Sequence, residues 1–344
     1  MNKKMLQIIL GLFLITACSQ QPDTLTVMTH DSFTISEAVI NAFEQEQNIE
    51  VVFLPSGDAG SILNRAILSK DAPIADVLYG IDNTYLSRAM DEDMFEAYDS
   101  PLLVKIPDEF KLDNLNRALP INYGDVCINY DKNYFSENDL ALPTSLIDLI
   151  DPKYAGLLVV ENPATSSPGL AFLLATISEF GDEGYLDYWE NLKGNGVVVA
   201  NDWETAYYTN FSGSAGRGAQ PMVVSYGTSP AAEFIFSEEE VRESPTASLV
   251  AENMCYRQIE FVGILKGSKN RDLAEKFIDY MLSVGFQEDI PLNMFVFPVN
   301  QEAVVQPIFL DHIQIPQFPA VISTDRIAEM RETWIESWRE QMLQ

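Results

Sequence analysis

Basic residues are scarce in this 344-residue chain. Lys and Arg number 21 against 51 Asp and Glu, a formal charge of −30. A surface that acidic repels a phosphate backbone and excludes nucleic acid as a partner. It steers cationic ligands inward, although net charge alone defines no site. Imidazole is scarcer still: only His30 and His312 are present. A metal centre or catalytic set built on histidine therefore has little to draw on. His30 stands beside Asp31 and Ser32, but adjacency in sequence is not triad geometry. No GxSxG elbow, HExxH pair, CxxC pair or GxxxxGK(S/T) loop occurs. Nucleophilic hydrolysis, zinc proteolysis, dithiol exchange and nucleotide hydrolysis thus lack their local signatures. The expectation is a protein that is not an enzyme and needs no cofactor.

Long apolar runs are also missing, except at the start. Lys3 and Lys4 precede the apolar residues 5–17, and Cys18 follows the small Ala17. That run is too short for a mature membrane span and reads as a secretory signal. Ile15-Thr16-Ala17-Cys18 resembles a bacterial lipobox, which implies cleavage before Cys18 and acylation of its thiol. Residues 1–18 are then a lipoprotein signal and 19–23 a polar tether. The expected location is extracytoplasmic, anchored to the bacterial cell membrane through lipid only. Three cysteines occur in all. With Cys18 lipidated, Cys127 and Cys255 remain as a pair in an oxidising compartment, and a disulfide between them is expected. Two separate buried thiols are the alternative, since sequence cannot bring their Cα atoms together.

What is abundant is a regular alternation of strand and helix signals. Residues 24–28, 50–54 and 75–79 read as strands, separated by helical patterns through Ile35, Val39, Ile40 and Phe43 and through Ile62, Leu63 and Ile67. The turn at 29–32 is a candidate cap for the first helix. The pattern repeats at 156–160, 196–200 and 221–226. Such alternation implies parallel sheets, with ligand contacts at the carboxyl ends of the strands. Residues 123–130 and 254–265 are long β-like runs that suit two crossover strands between lobes. The expected fold is α/β, a two-lobed clamp with two hinge-crossing strands and a C-terminal helix from Thr324. Its first lobe comprises 24–125 and 256–344, its second 126–255. The C-terminal stripe of Ile327, Met330, Trp334, Trp338 and Met342 reads as core packing.

Several segments, in this order and spacing, carry a resemblance. They are TVMTHDSF (26–33), ADVLYGIDN (75–83), NYGDVCINYDKN (122–133), NPATSSPGL (162–170), NDWETAY (201–207), SYGTSP (225–230) and FPVN (297–300). Together the chain resembles the periplasmic thiamine-binding receptors of ABC importers, within the iron, thiamine and polyamine group of type II solute-binding proteins. The resemblance implies a type II periplasmic-binding-protein fold and a cleft for thiamine or its phosphates. It also implies delivery to a membrane permease driven by a separate ATPase. The receptor itself is expected to be a monomer.

Thiamine is a cation with two flat rings, so its receptor needs aromatic faces, carboxylate or hydroxyl partners, and backbone donors for any phosphate. By resemblance Trp203 and Tyr226 are wall aromatics, and Phe295 stands where some members of the family have Trp. Asp58, Ala59 and Gly60 open a helix after a Gly-rich loop, and Thr165, Ser166 and Ser167 open another. Helix N-termini of this kind hold anions, and they equally hold simple Ser or Thr caps. Thr165, Ser166 and Ser167 are the candidate phosphate contacts. Asp31, Ser32, Asp82 and Ser229 are candidate polar contacts near strand ends. Ferric iron is the alternative ligand, suggested by Tyr207-Tyr208, although that pair also reads as an amphipathic helix surface. Polyamines are a further alternative that the acidic composition suits.

Overall fold

The computed structural model describes residues 23–214, 217–237 and 242–343. The signal, the lipobox Cys18 and all of the tether but Asp23 lie outside the described residues. The chain begins with β1 (Asp23–Thr29), α1 (Glu37–Gln47), β2 (Ile49–Pro55), α2 (Ala59–Leu68) and β3 (Val77–Asp82). β1 pairs in parallel with β2, from Asp23 opposite Ile49 to Thr29 opposite Pro55, and β3 joins its other side. α1 starts at Glu37 with Ser36 at its cap position, so the turn at 29–32 does not cap it. Asp31 instead accepts the Gly57 N–H at 2.8 Å and ties the first strand end to the loop before α2. β3 also runs later than the sequence pattern placed it. Gly80, Ile81 and Asp82 belong to the strand rather than to a loop beyond it. Gly80 takes φ +100°, and a Cβ there would come within 2.4 Å of the His30 ring. Only glycine suits both the left-handed backbone and that approach.

The chain continues through α3 (Leu86–Asp91), β4 (Phe95–Glu96), β5 (Leu119–Asp131), α4 (Lys132–Glu137), β6 (Leu158–Glu161), α5 (Ser167–Gly194), β7 (Val198–Ala200) and β8 (Met222–Tyr226). Then come α6 (Ser229–Ile235), β9 (Thr246–Leu249), β10 (Tyr256–Leu265), α7 (Arg271–Leu282), α8 (Val284–Asn293), β11 (Phe297–Pro298), α9 (Pro307–Leu310) and α10 (Thr324–Leu343). The strands form one curled sheet in the order β2-β1-β3-β10-β5-β8-β6-β7. β5 links its two halves. Its residues from Leu119 to Val126 pair with β10, and those from Val126 to Tyr130 pair with β8. Val126 is opposite both Tyr256 and Tyr226, so the strand changes partner at that residue. Cys127 follows immediately and forms a disulfide with Cys255, the residue before β10. Asp125 adds a two-pronged ion pair to Arg257 at 3.0 and 3.1 Å. Covalent and ionic ties thus converge where β5 changes partner.

α10 buries Ile327, Arg331, Trp334, Ile335, Trp338 and Met342, a stripe at three- and four-residue spacing. Trp338 meets Trp189 of α5 edge-on at 5.4 Å. Arg331 is buried over the Tyr85 ring at 4.6 Å, next to α3. The last helix therefore lies against elements from both halves of the sheet. Truncating a buried indole of this kind costs about 3–5 kcal/mol.

Candidate ligand-binding cleft

The segments after β1 and β2 face those after β6 and β7 across a cavity of about 560 Å³. Asp31, Gly57, Asp58 and Ser61 line one side, and Thr165, Asn201, Asp202, Glu204 and Tyr208 the other. The wall is acidic from both directions. Asp58, at the cap position of α2, has its carboxyl pushed up from 3.8 to about 7. Burial is the main cause, followed by the charge of Asp202, with Asp31 and Glu204 adding to it. The Ser166 hydroxyl acts in the opposite direction. No hydrogen bond of good geometry joins the two groups, and Asp58 Oδ2 and Ser166 Oγ are both buried without a partner. Gly60 follows in the first turn, where a Cβ would approach the Tyr85 hydroxyl to 2.9 Å. Ala59 is buried beside it, and Ser32 is half-buried in the turn after Asp31.

An aromatic platform adjoins this wall. Trp203 is half-buried and stacked on Tyr207, with ring centroids 5.1 Å apart and planes 21° from parallel. Its indole N–H donates to Ser225 Oγ at 2.9 Å, and Ser225 Oγ lies 2.9 Å from Ser229 Oγ. One ring face and the polar edge are thereby fixed. The segment after Trp203 is a π-helical turn, Thr205–Asn210, a local form that recurs at functional sites. Tyr207 is buried beneath the indole and Tyr208 is exposed, as in an amphipathic helical segment. Tyr226, the last residue of β8, lies against Gly124, where a Cβ would meet its ring at 2.9 Å. Burial holds its hydroxyl far above the usual range, with the charges of Glu260, Asp82, Asp58 and Glu161 adding. The ring therefore sits in a field set by carboxylates from both halves of the sheet.

The hydroxyls of residues 165–167 are not a uniform set. Thr165 Oγ1 donates to the Asn201 carbonyl at 2.6 Å. Ser167 Oγ donates to Asp82 Oδ2 across the halves. Only Ser166 Oγ is buried and unpartnered, at the N-terminus of α5. Asp82 is fully buried and accepts from Thr84 N–H at 2.6 Å, the Thr84 hydroxyl, Ser167 and the Gln258 amide. The protein's own donors satisfy it. Phe295 is farther out. Its side chain meets Phe236 and Phe309 at 5.4 and 6.5 Å, in a cluster with Phe297 and not beside Trp203. Its φ of +55° and a hydrogen bond from Thr228 to its carbonyl hold the loop ahead of β11.

Residues that the sequence did not single out stand in the acidic wall and behind it. Asp202 and Glu204 come from the segment after β7. Glu161 ends β6, is fully buried, and has no hydrogen-bond partner for either carboxylate oxygen. Burial pushes its pKa well above the usual range, its own backbone N–H acts in the opposite direction, and Asp58 and Asp202 push it up further. Tyr79 donates to Glu260 at 2.7 Å and accepts from Asn122, while His30 Nε2 lies 3.5 Å from Glu260. The one available signal for Glu161 was its place at a strand end before a Pro-Gly helix start. An isolated Glu in an apolar strand gave no reason to expect a ligand.

Opposed strand ends around a cleft, with one strand shared between the halves and irregular loops at the rim, define a binding protein of the periplasmic type. Comparison with known proteins agrees. Residues 72–329 match the family model described as bacterial extracellular solute-binding protein. The chain is 31% identical over 326 residues to the thiamine-binding periplasmic protein of Brucella suis biovar 1, covering 93% of this chain and 92% of that one. It is 30% identical over 347 residues to the protein of the same name in Escherichia coli strain K12, covering 98% of each. Among solved structures, a periplasmic thiamin binding protein superposes with a TM-score of 0.81 at 27% identity, over 94% of this chain and 99% of that one. Iron-bound HitA from Pseudomonas aeruginosa gives 0.75 at 21% identity over 93% and 99%, a likeness of fold alone. The chain belongs to the family of bacterial extracellular solute-binding proteins.

Proposed function

We propose that this chain captures thiamine in the cleft between two lobes, residues 24–125 with 256–344 and residues 126–255, and presents it to an ABC permease powered by its own ATPase. The observation that carries this reading is the pairing of the fixed Trp203 platform with carboxylates from both sides. A thiazolium ring is flat and permanently positive. An aromatic face contributes about 0.5–2 kcal/mol to binding such a cation, and the opposed Asp31, Asp58, Asp202 and Glu204 supply countercharge. The names of the curated relatives support the same ligand. Binding to both lobes favours the closed arrangement through its differential affinity. β5 and the segment into β10 absorb the motion, and the Cys127–Cys255 bond keeps the two crossings together. The role is one of binding and release, without turnover.

Thiamine is the preferred form and its monophosphate binds more weakly. The phosphate would share the cavity of Thr165 with four acidic side chains, and the Thr165 and Ser167 hydroxyls are already committed to Asn201 and Asp82. A ferric site has less support: among the described residues, no group of three or more His, Cys, Asp or Glu is placed to hold a metal. The protein acts as a monomer outside the cytoplasm, tethered through acylated Cys18. Calorimetric titration of residues 19–344 tests the ligand, with thiamine, thiamine monophosphate, putrescine and ferric citrate as separate arms. One-to-one binding in the order thiamine, then monophosphate, is expected. Heat from putrescine or iron alone would keep the fold and overturn the ligand. Metabolic labelling with palmitate, compared between the wild type and Cys18→Ser, tests the anchor.

A further inference from the structure

We infer that Glu161 is a ligand-recognition residue that holds a proton while the cleft is empty and gives it up when a cation binds, so that capture of thiamine expels a proton. This rests on the thiamine reading above and extends it to a residue and a stoichiometry.

The argument begins with geometry. Glu161 is the last residue of β6, at the carboxyl end where the cleft opens. Its side chain is fully buried, neither oxygen makes a hydrogen bond of good geometry, and the one donor acting on it is its own backbone N–H. Directly after it, residues 162–166 turn into α5, and the unpartnered Ser166 hydroxyl comes from that turn. Gly169 lets α5 pack on the strand end: a Cβ there would lie 2.5 Å from the Glu161 carbonyl and 3.0 Å from its Cβ. The residue is therefore held firmly by its backbone while its carboxyl group is left unmatched. A buried polar group without a partner costs stability, and a buried unpaired charge costs far more.

The groups acting on Glu161 are named by element. Asp58 faces it from the cap of α2 and Asp202 from the segment after β7, and both are acidic. Tyr226 faces it from β8. None of these is a cation. The empty site thus favours the neutral carboxylic acid, because the charged form is disfavoured by burial and by like charges together. A thiazolium in the cleft reverses both terms. It supplies a positive charge, and the aminopyrimidine supplies N–H donors. The balance is simple: the O–H bond of Glu161 breaks, its proton leaves to water, and the incoming cation replaces that positive charge. A neutral ligand of the same shape gains nothing from this exchange. Glu161 thereby makes the site selective for charge as well as for shape.

The test is calorimetric titration of residues 19–344 with thiamine at pH 6, 7 and 8, in buffers of differing protonation enthalpy, on the wild type and on Glu161→Gln. Linkage makes affinity rise up to about tenfold per pH unit for each proton displaced. The wild type is expected to release about one proton more per thiamine than Glu161→Gln, with a correspondingly steeper rise of affinity with pH. Equal proton release by both proteins, with thiamine still bound, overturns the inference. Absence of thiamine binding by the wild type fails the receptor reading itself, a distinct result. The infrared difference spectrum of the wild type covers the case in which the variant does not fold. Thiamine has no carboxyl group, so loss of a protonated-carboxyl band on its addition supports the exchange, and an unchanged band overturns it.

Discussion

Asp82 and Glu161 are both buried carboxylates at the carboxyl ends of strands, one in each half of the sheet. Asp82 accepts from Thr84, Ser167 and Gln258. Glu161 accepts from no other residue. The first is part of the scaffold: its bond from Ser167 ties β3 to the start of α5. The second has its environment completed only from outside the chain. Depth of burial is the same for the two, so burial does not separate a structural carboxylate from a recognising one. The count of satisfied oxygens does.

The comparison breaks most severely at Asp82. Asp82→Ala leaves three kinds of donor unpaired at once, and each stranded buried group costs about 1–3 kcal/mol. A loss of about 3 kcal/mol or more is expected in urea unfolding, whereas Glu161→Gln is expected to leave the empty protein as stable as the wild type or more so. Equal losses in the two variants would erase the distinction. Next in size is the tie between the halves. Cys127→Ser with Cys255→Ser opens a loop with a sequence separation of 128 residues, for which about 2–5 kcal/mol of stability is expected to be lost. The same denaturation measurement, run with and without reductant on the wild type, checks it.

Smaller effects sharpen the division between platform and wall. Trp203→Ala removes the stacked face and is expected to weaken thiamine binding by roughly tenfold, about 1–2 kcal/mol. Phe295→Ala, at a residue packed on Phe236 and Phe309, is expected to change affinity less than threefold, a few tenths of a kcal/mol. Titration of both variants decides whether the platform is Trp203 alone. The pH dependence of the empty receptor adds a check of a different kind. The Asp58 carboxyl is raised from 3.8 to about 7 in the folded state. Its contribution is therefore fully present below about pH 4 and is lost as the pH rises through 7. The thermal midpoint without ligand should fall between pH 5 and pH 8, and Asp58→Asn should flatten that fall. A wild-type midpoint that rises over the same window contradicts this account of Asp58.

Much of the architecture was legible in the chain. Alternating strands and amphipathic helices placed β1, β2, β6, β7 and β8 to within a few residues, because burial on one helix face and both sheet faces leaves a periodic trace. The end of β3 was misplaced, since Gly80 reads as a breaker unless the approach of His30 is known. Asp58, singled out by local chemistry, lines the cavity, and Trp203, named by resemblance, stands between two residues that line it. Glu161, Asp202 and Glu204 were missed, because an acidic residue in sequence carries no mark of what opposes it.

Sequence alone determined the acidic composition, the strand and helix periodicity and the count of three cysteines, of which Cys127 and Cys255 lie in strand-like runs. These follow from side-chain type and spacing, which are local properties. Tertiary structure alone decided that β5 changes partner at Val126, that Asp58 faces Asp202, and that Asp82 is satisfied while Glu161 is not. Those are relations between residues dozens of positions apart. The free energy of a carboxylate depends on which dipoles and charges the fold brings within a few ångströms of it.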